Sequence, residues 1–142
     1  MVHIGLSSAI SSSYQNAVLA ATDFKNIYCV DSKNLCAGMG LLVLKACDLR
    51  DKGFDAKKIA ARINSLVPKI HSSFVLDNLE FLHKGGRCSS VAKFGANVLG
   101  LKPVIGVDPA TGKMDVIKKY RSAANILTTP CTIFQRQTLL AL

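Results

Sequence analysis

The run Ser7-Ser8-Ala9-Ile10-Ser11-Ser12-Ser13 holds the residues best suited to chemistry in this 142-residue chain. It lies between a β-leaning run, Val2–Leu6, and apolar positions at Tyr14, Ala17, Val18, Ala21 and Phe24 that recur at helical spacing. A helix N-terminus presents free N–H groups, and serine hydroxyls beside it add donors for a carboxylate or a phosphate. The same serines read equally as one helix cap plus ordinary loop. A second candidate is Lys84-Gly85-Gly86-Arg87, where paired glycines allow a sharp turn and the flanking cations suit an anion. It is not a phosphate loop, because neither G-x-x-x-x-G-K-[ST] nor a G-x-G-x-x-G after a strand occurs. The third is the basic strand end Lys118-Lys119-Tyr120-Arg121, which reads equally as an exposed edge. Aromatics are only 6% and Trp is absent, so the stacking surfaces of a nucleic-acid module are missing.

Catalytic sets are thin. His3, His71 and His83 have no H-x-x-x-H spacing, and no G-x-S-x-G nucleophile turn occurs. The five cysteines (Cys29, Cys36, Cys47, Cys88, Cys131) contain no C-x-x-C pair. They read as reduced thiols, several of them in the core, with no metal site or cofactor. The chain is not expected to be an enzyme.

The elements that must position these residues follow from periodicity. Asn26–Val30 reads as a second strand ending at Asp31-Ser32. Leu35, Met39, Leu42, Val43, Ala46 and Leu49 predict a long amphipathic helix stopping near Lys52-Gly53. Gly38 and Gly40 inside it read as close packing contacts. Asp55 is placed to cap a third helix with Ile59, Ala60, Ile63 and Val67 on its apolar side, ended by Pro68. Strand, helix, strand, helix, helix argues for a parallel sheet covered by helices. Beyond a boundary near Pro68-Lys69 the pattern changes. Ile70–Leu76 reads as a strand, Leu79–His83 as a short helix and Ser89–Leu99 as another helix. Lys102–Val107 and Lys113–Tyr120 read as a hairpin around Asp108-Pro109-Ala110-Thr111-Gly112.

Apolar residues make up 49% and charged residues 19%, which excludes a disordered or low-complexity chain. The net charge is +9, and residues 82–142 carry nine of the 18 bases but only Asp108 and Asp115 as acids. A basic balance suits an acidic partner and reads equally as a solvated surface, and the asymmetry favours one localised basic face. The longest apolar run, Leu35–Leu44, is too short to cross a bilayer. No cationic stretch precedes an apolar one at the N-terminus, so a cytoplasmic protein is expected.

Four ordered segments resemble the DegV family of bacterial fatty-acid-binding proteins. Leu6–Ala17 is similar to the family's S-S-x-L-S-G-T-Y-x-x-A segment. The others are Val30-Asp31-Ser32-Lys33-Asn34-Leu35 with Gly38 and Gly40, Phe74–Ser89 with Lys84-Gly85-Gly86-Arg87, and Gly95–Ile105. Lys119-Tyr120-Arg121 also resembles the family's basic strand end. Position 12 is Ser where the family typically has Gly, and Ser13 replaces Thr.

The resemblance implies part of a parallel, Rossmann-like α/β domain over residues 1–68. Part of a second α+β domain would span 69–121, and 122–142 would form a divergent tail. It implies that a long-chain fatty acid is held and its carboxylate presented to a fatty acid kinase for phosphorylation. Ser11, Ser12 and Ser13 would bind the carboxylate, while Lys84, Arg87 and Arg121 would face the kinase or the phosphate. Segments supplying further carboxylate ligands, a T-S-x-P-S loop and an H-x-G-P-G motif, are missing. A truncated chain with impaired binding and some self-association is therefore expected. The alternative is a small basic module for nucleic acid or an acidic protein surface, revealed by steep salt dependence; its low aromatic content means no DNA is expected as partner.

Overall fold

The computed structural model of the chain describes residues 1–75, 80–87 and 102–120. Helix Ser89–Leu99, Arg121 and the tail, all expectations above, lie outside the described residues. Contacts divide the chain into Met1–Ile70 with Pro109–Gly112, and His71–Asp108 with Lys113–Leu142.

In the first unit, β1 (Val2–Gly5) and β2 (Tyr28–Asp31) pair in parallel, with Gly5 opposite Asp31. The crossover between them is α1 (Ser13–Ala21), as a parallel pair requires. Two helices follow, α2 (Cys36–Asp51) and α3 (Ala56–Leu66), and α3 packs against both strands and α2. The expected parallel α/β order is thus present. α3 buries Ile59, Ala60, Ile63 and Leu66, an i, i+4, i+7 stripe continued by Val67. Pro68 does not stop the chain at once; it sits early in a single 3-10 turn, Val67–Lys69, where its missing N–H costs nothing.

α2 departs from its predicted amphipathic form. Gly38, Leu42 and Leu49 are buried, but Val43 and Leu44 are exposed. A step of one residue turns about 100° around a helix. Val43 therefore leaves the narrow buried stripe on which Leu42 sits. α1 buries no residue at all, and Val18, Leu19 and the following Phe24 face solvent. Of the described cysteines, Cys36 is exposed and Cys29 and Cys47 are only half-buried, which corrects the expectation of core thiols.

Each strand of the β1–β2 pair has one edge unpaired among the described residues. Open edges beside exposed apolar side chains favour association. Light scattering is expected to show species above 15.2 kDa that shrink in Leu19→Glu. A monodisperse 15.2 kDa wild-type chain contradicts this.

Asp55 caps α3: its Oδ1 accepts the Lys58 N–H at 2.8 Å. That hydrogen bond, first, holds the carboxyl below its ordinary range. An acid whose pKa is lower folded than unfolded stabilises above the unfolded pKa, and the gain is lost as pH falls through the folded pKa. The melting-temperature gap between wild type and Asp55→Ala is therefore expected at pH 7 and should close at pH 2. A gap independent of pH refutes the assignment.

In the second unit, β3 (Ser72–Val75), β4 (Lys102–Val107) and β5 (Met114–Tyr120) form an antiparallel sheet in the order β3-β4-β5. Ile105 is fully buried at its centre, opposite Phe74. Val104 faces Lys118 while Ile105 faces Val116, so Ile117 is an extra residue and β5 carries a bulge. The Ile117 side chain lies across Gly106, where a Cβ would come within 2.8 Å of its Cγ2. The predicted hairpin is closed by Asp108 N–H donating to the Lys113 carbonyl at 2.9 Å. The short helix α4 (Glu80–Gly85) ends at Gly86, whose φ of +66° is the left-handed stop the Gly-Gly pair predicts. Among the described residues, no helix is long and apolar enough to cross a membrane.

Candidate functional site

Because β1 and β2 run parallel, their carboxyl ends, Gly5 and Asp31, lie side by side. The loops leaving them, residues 6–12 and 32–35, share that edge. In an open parallel α/β sheet this is where ligands bind. The serine run thus occupies the chemically favoured end of the unit.

Ser7 anchors the first loop from within and is fully buried. Its N–H donates to the Asn34 carbonyl at 3.0 Å, and its carbonyl accepts the N–H groups of Ile10 and Ser11. Its hydroxyl donates to the Gly112 carbonyl at 2.9 Å and accepts Ala9 N–H. Ser8 is tied sideways: its N–H and hydroxyl both donate to the Asp31 carboxylate, and its carbonyl accepts the Gln15 amide. The hydroxyls of Ser7 and Ser8 are therefore committed to the protein.

Ser11, Ser12 and Ser13 are placed differently. Ser11 is half-buried, while Ser12 and Ser13 are exposed. Ser12 occupies the N-cap position of α1 but its side chain makes no capping bond. Its φ and ψ of −79° and 1° lie outside the extended geometry that aims a capping hydroxyl at the helix amides. Ser11 supplies the acceptor instead, taking the Ser13 N–H at 3.2 Å while its hydroxyl reaches Ser13 Oγ at 3.1 Å. The N–H groups of Tyr14 and Gln15 find no acceptor among the described residues. Such first-turn amides, with hydroxyls beside them, are donors without acceptors, the chemistry an anion requires.

Tyr14 packs its ring over Gly5, where a Cβ would sit 3.3 Å from it. Burial, then the nearby Asp31 carboxylate, raise its pKa above the ordinary phenol value. From Tyr14 an open groove of about 510 Å³ runs between α1 and α3, lined by Val18, Ala21, Ile27 and Ala60 among others.

The second loop is strained. Lys33 and Cys36 take φ values of 50° and 45°, a region that non-glycine residues enter at a cost of about 1–2 kcal/mol each. The turn brings Ser32 and Asn34 fully inside, where Ser32 Oγ donates to the Asn34 carbonyl and Asn34 Nδ2 donates to the Ile70 carbonyl. Ser7 and Ser8 belong to the serine run that the sequence offers as a site, but their bracing role, and that of Asp31 and Asn34, is visible only in the structure. Small polar residues directly after two strands were the available signal.

The cationic candidates belong to the other unit. Lys84 and Arg87 are both exposed, and Arg87 Nη1 donates to the Gly85 carbonyl at 2.6 Å, folding back on its own turn. Arg121 lies outside the described residues. Among the described residues no group of three or more His, Cys, Asp or Glu side chains could hold a metal ion.

A family model for DegV matches residues 1–139. The chain belongs to the DegV family. DegV domain-containing proteins of Clostridium acetobutylicum and Caldanaerobacter subterraneus are 33% and 32% identical to it. The first alignment covers 89% of this chain and 47% of the relative, the second 85% and 43%. This DegV chain thus spans about half the length of the curated relatives it matches. Among solved structures, the fatty acid binding DegV protein of Streptococcus agalactiae shares 30% identity at a TM-score of 0.74, over 89% of this chain and 46% of that one. The DegV protein of Thermus thermophilus, studied for fatty acid binding, shares 27% at 0.77, over 99% and 46%. That of Ruminococcus gnavus, solved with vaccenic acid, shares 27% at 0.75, over 89% and 46%. The mixed α/β architecture read from the sequence is that of the DegV fold.

Proposed function

We propose that this chain binds a long-chain fatty acid, with the carboxylate at Ser11, Ser12 and Ser13. The observation that carries the reading is the unfilled donor set at the start of α1: the amides of Tyr14 and Gln15 beside the Ser12 and Ser13 hydroxyls. A carboxylate there gains charge-assisted hydrogen bonds and the favourable end of the helix dipole. Apolar side chains in the adjoining groove offer surface to an alkyl chain. DegV relatives of similar sequence that bind fatty acids support the same ligand class.

The role that fits a binding protein without a catalytic set is carriage and presentation, here to a fatty acid kinase that phosphorylates the bound carboxylate. Lys84, Arg87 and Arg121 would face that kinase or the acyl-phosphate, where always-charged or flexible cations serve an anion well. The chain itself supplies no phosphoryl chemistry in this reading, and its setting is the cytoplasm.

Denaturing extraction of the purified chain followed by mass spectrometry is expected to release C16–C18 fatty acid. Added palmitate or oleate is expected to raise the melting temperature, since a ligand that binds only the folded state stabilises it. No recovered lipid together with no thermal shift overturns the reading.

A further inference from the structure

We infer that Asp31 is a positioning residue of the serine loop, acting on the proposed fatty acid site through Ser8 without touching the ligand. The inference rests on the fatty-acid reading for its ligand and on the loop geometry for everything else.

Asp31 ends β2, opposite Gly5, and its side chain is 13% exposed. Its Oδ1 accepts the N–H groups of Ser8 at 3.2 Å and Lys33 at 2.9 Å. Its Oδ2 accepts the Ser8 hydroxyl at 2.5 Å and lies 4.0 Å from Lys33 Nζ. The carboxylate therefore fastens the loop after β1 to the loop after β2. Ser8 passes the restraint on, because its carbonyl accepts the Gln15 side-chain amide on the first turn of α1. That turn carries the proposed carboxylate donors. A donor set for an anion works only when its members are held in place before the ligand arrives, since otherwise binding must also order the loop.

Both Asp31 oxygens already accept from the protein, which commits the carboxylate to bracing the loop. Its negative charge also disfavours an anion at the Asp31 end of the loop and leaves the α1 end as the place for one. Asparagine is the informative substitution. Its Oδ1 still accepts the two N–H groups, and its amide donates to the Ser8 hydroxyl oxygen once that hydroxyl turns.

The test compares wild type, Asp31→Ala, Asp31→Asn and the remote cap variant Asp55→Ala in the full chain. Palmitate affinity is measured by equilibrium dialysis well below each melting temperature, and amide hydrogen exchange is followed over residues 7–15. Asp31→Ala is expected to weaken palmitate binding tenfold or more and to speed exchange in that segment selectively. Asp31→Asn is expected to restore both to within about threefold of wild type. Asp55→Ala is expected to lower the melting temperature while leaving affinity and loop exchange unchanged. Loop exchange unaltered in Asp31→Ala, or accelerated everywhere alike, overturns the inference. Wild type that fails to bind palmitate overturns the fatty-acid reading instead, and the exchange comparison still decides whether Asp31 holds the loop.

Discussion

Gly38→Ala is expected to destabilise the first unit by roughly 2–4 kcal/mol, although alanine is the better helix former by about 1 kcal/mol. A Cβ at position 38 would lie 2.1 Å from Asn34 Oδ1 and within 3 Å of the rest of that amide group. Asn34 is fully buried and cannot swing into solvent without giving up its partners. Its Nδ2 donates to the Ile70 carbonyl at 3.2 Å, and its Oδ1 accepts the Leu35 N–H at 3.1 Å. Displacing the amide leaves those backbone groups short of partners, at about 1–3 kcal/mol for each buried one.

Gly40 supplies the control, in the same helix and with nothing within 4 Å of its would-be Cβ. Gly40→Ala is expected to stabilise by about 0.5–1 kcal/mol. Urea unfolding followed by circular dichroism checks both: the midpoints should move in opposite directions at an unchanged slope. Two shifts of the same sign contradict the packing argument.

The second large effect is at Gly112. Its φ of +74° lies in the left-handed region, and a Cβ there would come 2.1 Å from Ser7 Oγ and 3.2 Å from Lys33 Cα. Alanine thus meets backbone strain of about 1–2 kcal/mol. It also meets a collision with the hydroxyl that donates to Gly112's own carbonyl. A total loss of about 3 kcal/mol is expected, the strain plus a buried hydrogen bond left unmade.

Asparagine separates the two causes, because it tolerates left-handed backbone far better than alanine. If strain alone mattered, Gly112→Asn would be mild; with Ser7 in the way it is expected to be at least as damaging as Gly112→Ala. Adding Ser7→Ala to Gly112→Ala is expected to recover part of the loss. A double variant no more stable than Gly112→Ala rules the collision out. Thermal melts of the four proteins give the comparison.

Local signals carried the sequence reading as far as local physics reaches. Asp55 as a cap, the apolar side of Ile59, Ala60, Ile63 and Val67 and the Gly86 stop each follow from residues within one or two turns of each other, and each is present. The serine loop was legible as a place but not as a mechanism. Which serines brace it and which remain for a ligand depends on Asp31, 23 residues from Ser8, and on Gly112, 105 residues from Ser7. No periodicity encodes such pairs. The two glycines of α2 make the same point: both looked like packing contacts, and only Gly38 meets a buried neighbour. Val43 falls on the apolar face by its spacing, yet it lies about 100° from Leu42, and the buried stripe is too narrow to include it.

The turn Pro109–Gly112 groups with residues 1–70 by its contacts, and it holds the acceptor for the buried Ser7 hydroxyl. On a ribosome residues 1–70 emerge several seconds before that turn, at roughly 5–20 residues per second. During that interval residues 1–70 lack the carbonyl that the Ser7 hydroxyl needs. Pairing across so long a separation also slows folding, because the loop must be closed before the contact repays it. Consolidation of the serine loop is thereby postponed until the Pro109–Gly112 turn has left the exit tunnel.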